Sequence, residues 1–121
     1  MSFFSRWRRA KPVASPVPAA WHELRITTAL PPPDDAAIER LADDLTAALT
    51  ASTAGTFDEY EELGSAGQIC IYLLGPDADR LLETITPVLR RHAWTAGSEI
   101  YQVYGNAMDP KAVEKISRFM G

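Results

Sequence analysis

Two amphipathic helix patterns, each lying between strand-like segments, constrain the fold of this chain more than any other feature. The first pattern follows the acidic pair Asp34 and Asp35, which suits the positive end of a helix. The second follows the turn residues 75–77 and ends in the cations Arg90 and Arg91, which suit the negative end of a helix. The apolar stripes are Ile38, Leu41, Leu45 and Leu49 in the first helix and Leu81, Leu82, Ile85, Val88 and Leu89 in the second.

Four further segments are typical of strands. Trp21 to Ala29 alternates in polarity, and the acidic segment Thr56 to Leu63 is followed across a glycine-containing turn by the apolar segment Gln68 to Leu74. The fourth segment is Glu99 to Tyr104. Because unpaired carboxylates are costly to bury, we expect the acidic second strand at a sheet edge and the first and third strands at the sheet centre.

The order strand, helix, strand, strand, helix, strand predicts an α+β fold. The expected form is a ferredoxin-like βαββαβ sandwich, in which two helices cover one face of a four-stranded antiparallel sheet. A short C-terminal helix is expected after the sandwich, because Asp109 and Pro110 suit a helix start. The apolar residues of that helix would be Val113, Ile116, Phe119 and Met120.

The length of 121 residues fits a single folded domain, residues 21–121, preceded by a tail with a Pro-rich linker, residues 1–20. The tail is basic and aromatic, so it is predicted to make weak contact with an anionic membrane surface, each cation adding about 1 kcal/mol near the lipid. The alternative is a disordered basic tail. The residues concerned are Phe3, Phe4, Arg6, Trp7, Arg8 and Arg9.

The expected location is cytoplasmic. The single cysteine, Cys70, fits a reducing compartment. No apolar run approaches the roughly 20 residues that span a bilayer, so any membrane contact would be peripheral, at the inner membrane face.

The net charge of −4 hides a division within the chain. Residues 1–11 hold four of the 12 basic residues and no acidic residue, which leaves 8 basic against 16 acidic residues, or −8, in residues 12–121. A domain this acidic repels nucleic-acid phosphates and attracts basic surfaces. We therefore expect no nucleic-acid binding and a protein partner with a basic surface.

The acidic second strand is the predicted contact with that partner. Its candidate residues are Asp58, Glu59, Tyr60, Glu61 and Glu62. An acidic edge strand can attract a basic partner and add backbone pairing. The alternative is that the charges only keep an exposed edge from aggregating.

The sequence indicates no catalytic, metal or cofactor site. Two histidines and one cysteine lie far apart, whereas a zinc site needs three or four convergent ligands. His22, at the start of the first strand, is the one residue that could act as a base in a small cofactor-free enzyme, although a hydrogen-bonded boundary residue is the alternative. Four tyrosines are predicted to line the sheet face that the helices leave open, namely Tyr60, Tyr72, Tyr101 and Tyr104.

Residues 55–105 resemble a group of small bacterial proteins of poorly defined function. The resemblance rests on Phe57-Asp58 with Glu61, on Tyr72 to Asp79, on Pro87-Val88-Leu89 and on Tyr104-Gly105. It covers less than half of the chain and implies no particular chemistry. In size, acidity and architecture the chain is similar in type to the immunity proteins of bacterial toxin systems.

The leading hypothesis is a non-enzymatic protein-binding domain, of the toxin-neutralising immunity type or a regulatory protein, that uses its acidic edge strand. A ligand-sensing or oligomerising ferredoxin-like module is the first alternative, with a homodimer formed through the sheet. The small enzyme that uses His22 is the second.

Overall fold

The computed structural model describes residues 21–64, 66–105 and 109–121. These residues form strands and helices in the order β1, α1, β2, β3, α2, β4, β5, with a short 3-10 turn at Ala93–Thr95 before β4. The strands are β1 (His22–Thr27), β2 (Thr56–Leu63), β3 (Gln68–Gly75), β4 (Glu99–Tyr104) and β5 (Val113–Arg118). The helices are α1 (Asp35–Ser52) and α2 (Ala78–Arg90). The predicted membrane-contact residues Phe3, Phe4, Arg6, Trp7, Arg8 and Arg9 lie outside the described residues, so their role stays a prediction.

The five strands make one antiparallel sheet in the order β2-β3-β1-β4-β5. The first and third strands lie in its interior, as expected, and the acidic strand β2 lies at one edge. The other edge is β5, which pairs with β4 from Glu99 opposite Arg118 to Tyr104 opposite Val113. The fold is therefore α+β, but the predicted four-stranded sheet is wrong, because the sheet has a fifth strand.

The predicted C-terminal helix is also wrong, because the same residues form β5. The apolar spacing of three between Val113, Ile116 and Phe119 suits a helix, but a helix of so few residues is marginal on its own. Pairing with β4 instead satisfies backbone groups of both strands along six residue pairs. The long-range partner therefore decides the conformation of this segment.

Both helices pack on the same face of the sheet, and one apolar core lies between the helices and the sheet. The sheet residues of that core come from β1 to β4 and lie on one side of the sheet, as Leu24 and Ile26 of β1 do. The helix starts are those the sequence predicts, since the Asp34 carboxylate accepts from the amide of Ala37 and the Asp77 carboxylate accepts from the amide of Asp79. Among the described residues, no helix packs on the opposite face of the sheet.

Candidate functional site

The sheet face opposite the helices, called here the open face, is the candidate site. Every second side chain of each strand points to this face, and residues that lie opposite each other on paired strands point to the same face. Across the middle of the sheet, the register places Glu59, Tyr72, Arg25, Tyr101 and Ile116 in one cross-strand row. The row on one side holds Glu61, Cys70, Thr27, Glu99 and Arg118, and the row on the other side holds Thr56, Leu74, Glu23, Val103 and Glu114.

Arg25 occupies the centre of the open face. Its guanidinium lies 5.8 Å from the ring centroid of Tyr72 and 5.2 Å from that of Tyr101, which is the range of cation–π contacts. Its Nε donates to the Glu23 carboxylate at 2.5 Å, and Glu23 is only 8% exposed. Burial alone would lower the pKa of Arg25, but the hydrogen bond and negative charge of Glu23 raise it, so the guanidinium stays charged.

Tyr72 connects this centre to the acidic edge. Its hydroxyl donates to the Glu61 carboxylate at 2.6 Å, which fixes one carboxylate of β2 against the face. Burial raises the pKa of Tyr72, and the hydrogen bond to Glu61 raises it further, so the phenol remains a donor at neutral pH. The acidic edge strand β2 and the open face of the sheet therefore form one continuous surface.

Cys70 contributes no nucleophile to the open face. The thiol is buried, and its sulfur accepts a weak hydrogen bond from the Thr27 hydroxyl at 3.7 Å. Burial raises the pKa of Cys70, so it is a protonated thiol at neutral pH. This agrees with the buried position predicted from its apolar neighbours.

The predicted partner-binding residues of β2 divide between the two sides of the strand. Glu59 and Glu61 lie on the open face, opposite Tyr72 and Cys70, and Glu59 is only 8% exposed. Glu62 lies opposite Ile69 and is exposed at the rim, while Asp58 lies where the register shifts between Phe57 and Glu59. The acidic surface, defined as Asp58, Glu59, Glu61 and Glu62, therefore lies along the outer edge of the sheet.

Tyr60 does not belong to this surface. It lies opposite Ile71 on the helix side of the sheet and is 0% exposed, as part of the apolar core. The prediction that Tyr60 lies on the open face is wrong because of the irregularity at Asp58. The extra residue there places Phe57 and Tyr60 on the same side of the strand. Strict alternation from the sequence would put them on opposite sides.

His22 lies at the start of α2 rather than on the open face. Its Nδ1 accepts a hydrogen bond from the amide of Ala78 at 2.9 Å, so this nitrogen satisfies one of the free amides of the helix start. The His22 ring packs edge-on against the ring of Tyr104, with 5.7 Å between their centroids. These contacts give His22 a structural role, as the hydrogen-bonded alternative predicts, and they lend no support to its use as a base.

Tyr104 also lies at this helix start, so it is not one of the open-face tyrosines. Its hydroxyl donates to the Asp79 carboxylate, and this hydrogen bond raises the pKa of Tyr104 to about 12. Of the four predicted tyrosines, Tyr72 and Tyr101 lie on the open face. The sequence alone missed their contact with Arg25, although the alternation of β1 already places Arg25 on the side away from Leu24 and Ile26.

A groove of about 320 Å³ lies on the helix side of the sheet, between α2 and the C-terminal segment. Its lining includes Leu82 and Thr86 of α2, together with Ser117, Phe119 and Met120. The described residues contain no group of three or more side chains placed to hold a metal ion. Within the same ranges, neither helix is both long and apolar enough to cross a membrane.

Comparisons with known proteins add no family to these observations. No protein-family model, no curated protein and no solved structure matches this chain. The candidate site is thus described by its geometry and charge alone, as an acidic edge strand joined to an open face with Arg25 between two tyrosines.

Proposed function

We propose that this chain is a non-enzymatic protein-binding domain that neutralises or regulates a partner with a basic surface, as toxin-immunity proteins do. The observation that carries the proposal is the position of the acidic surface on the edge strand β2. Glu62 is exposed and Glu61 is half-buried on this strand, so both can reach a partner that pairs with the edge, although Glu59 is only 8% exposed. The proposed docking surface is Asp58, Glu59, Glu61 and Glu62, with Tyr72 and Tyr101 on the adjoining open face.

The geometry of the open face supports binding rather than chemistry. Arg25, its central cation, is neutralised by Glu23, so the remaining carboxylates of β2 dominate the charge at that edge. Tyr72 and Tyr101 supply ring area beside them, and tyrosine is enriched where proteins bind one another. Acidic patches of this kind speed the encounter with basic partners and fix their orientation.

We also propose that the first four strands and the two helices form a ferredoxin-like core to which β5 is added. Support comes from the position of β1 between β3 and β4, with both helices packed on one face. An oligomerising module is the second candidate function, since three of the four exposed large apolar side chains among the described residues lie on β5 or just after it.

Affinity capture with three proteins in parallel tests the docking surface. The edge variant is Glu61→Lys with Glu62→Lys, and the matched control is Glu39→Lys with Asp43→Lys, on exposed positions of α1. Both variants change the charge equally, so a partner retained by the wild type and the control but lost by the edge variant supports the proposal. A partner retained by the edge variant contradicts it. If the charges only protect the edge, the edge variant aggregates without losing any partner.

A further inference from the structure

We propose that this chain forms a two-fold symmetric dimer in which β5 pairs antiparallel with β5 of a second copy, with Ile116 of each copy at the centre. The two five-stranded sheets would then become one continuous sheet of ten strands. The inference rests on the second candidate function, the oligomerising module, and specifies its interface, but it is independent of the acidic surface, which lies at the opposite edge of the sheet.

The exposure of β5 is the first observation. Three of the four exposed large apolar side chains among the described residues lie on β5 or just after it. Val113 is 67%, Ile116 is 60% and Met120 is 77% exposed. Within the described part of the chain, β5 pairs only with β4, so its outer backbone groups face away from the sheet. An open edge with apolar side chains is a template for pairing with another strand.

Symmetry limits the registers that two copies of β5 can adopt. A two-fold axis perpendicular to the sheet requires one residue to lie opposite its own copy, because opposed residues share a face. Centring on Glu114 or on Lys115 would oppose two like charges, which is destabilising. Centring on Ser117 would place Ile116 opposite Arg118. Centring on Arg118 would again oppose two like charges, and centring on Val113 would place Lys115 opposite Lys111 of the partner subunit. Centring on Ile116 opposes an apolar residue to its own copy and brings no like charges together.

The same register pairs the charges of β5. With Ile116 at the centre, Glu114 of each copy lies opposite Arg118 of the partner subunit, and both side chains point to the open face. Symmetry repeats this ion pair on the two sides of the central isoleucines. Cross-strand pairs of opposite charge stabilise antiparallel strands, so the sequence of β5 is complementary to itself.

The remaining exposed apolar side chains also find apolar neighbours. In this register, Val113 lies opposite Phe119 of the partner subunit, and Met120 lies opposite Ala112 of the partner subunit. Phe119 and Met120 line the 320 Å³ groove beside α2, so the dimer brings Val113 of the partner subunit to the border of that groove. The contact then extends beyond the two strands to the helix side of the sheet. The two acidic surfaces would lie at the far ends of the ten-stranded sheet.

A site-specific disulfide tests both the dimer and its register. In a Cys70→Ser background of the full chain, Ile116→Cys places two thiols on opposed residues, whose Cα atoms lie about 4.5–5.5 Å apart in antiparallel strands. A disulfide forms readily at that separation. Glu114→Cys is the control, because its two copies would lie roughly 14 Å apart along the strands. Oxidation should give a covalent dimer of Ile116→Cys and little of Glu114→Cys.

Sedimentation of the unmodified chain supplies the second readout. We expect twice the mass of one chain, and one chain mass for Ile116→Lys, which opposes two cations at the axis while circular dichroism shows an unchanged fold. A wild-type chain that stays monomeric at its highest soluble concentration overturns the proposal. Equal cross-linking of Ile116→Cys and Glu114→Cys overturns the register.

Discussion

At the scale of single residues, Arg25 makes the contacts that hold the candidate site together. It combines an ion pair to Glu23 with contacts to two tyrosine rings on the open face. Local sequence placed each of these residues on a strand, but their convergence depends on the register of three strands. That register is set by long-range pairing, which no local pattern encodes.

Replacing Arg25 should therefore destabilise the fold. Arg25→Met keeps the aliphatic volume but leaves the largely buried Glu23 carboxylate without its cation, and the expected loss is about 1–3 kcal/mol in the free energy of unfolding. Urea denaturation measures it. The double variant Arg25→Met with Glu23→Gln should recover part of the loss, because no charge is then left unpaired. An unchanged midpoint for Arg25→Met would mean that the pair contributes nothing.

The pKa of Tyr72 predicts the stability at high pH. Burial and the hydrogen bond to Glu61 raise this pKa in the folded state, whereas an unfolded tyrosine ionises near pH 10. Above about pH 10 the unfolded chain loses the proton that the folded chain keeps, so the free energy of unfolding falls as pH rises. Tyr72→Phe should show a smaller fall between about pH 9 and 11. Equal falls in both proteins would show that Tyr72 does not titrate in this way.

At the scale of elements, the sequence predicted the two helices and the first four strands because each has a strong local period. The edge position of β2 also followed from its charge. The sequence did not predict the fifth strand, because the spacing of Val113, Ile116 and Phe119 fits a helix. Only the pairing with β4 favours a strand there. Tyr60 was misplaced for a related reason, because the irregularity at Asp58 shifts the alternation of β2 without any residue that announces it.

The close contact between Ala54, just before β2, and Gly75, at the end of β3, gives the element-scale prediction. A Cβ at Gly75 would lie 2.3 Å from the backbone oxygen of Ala54, so Gly75→Ala forces the chains apart. We expect a loss of about 1–3 kcal/mol in the free energy of unfolding, by thermal or urea denaturation.

Gly64 supplies the control for that substitution. It has φ 58 and open space around its Cα, and asparagine tolerates this conformation. Gly64→Asn should therefore change stability by about 0.5 kcal/mol or less. If Gly75→Ala and Gly64→Asn lower the free energy of unfolding by the same amount, the contact between Gly75 and Ala54 is not tight.

At the scale of the whole molecule, the two edges of the sheet differ in character. The β2 edge is acidic and continues into the open face, whereas the β5 edge is apolar at its centre and carries both signs of charge. An acidic edge suits a basic partner, and a self-complementary edge suits a second copy. The strand order β2-β3-β1-β4-β5 places the surfaces of the two proposed roles at opposite ends of one sheet.

The most direct test of the central claim is the affinity of a captured partner for the wild type, the edge variant Glu61→Lys with Glu62→Lys, and the α1 control. Titration calorimetry at low and high salt measures it. The acidic surface predicts at least about a tenfold weaker Kd for the edge variant and nearly unchanged affinity for the control. It also predicts that salt weakens the wild-type complex, because the screening length shrinks from about 10 Å at 0.1 M to about 3 Å at 1 M. Equal affinity of all three proteins would contradict the claim that the acidic edge is the docking surface.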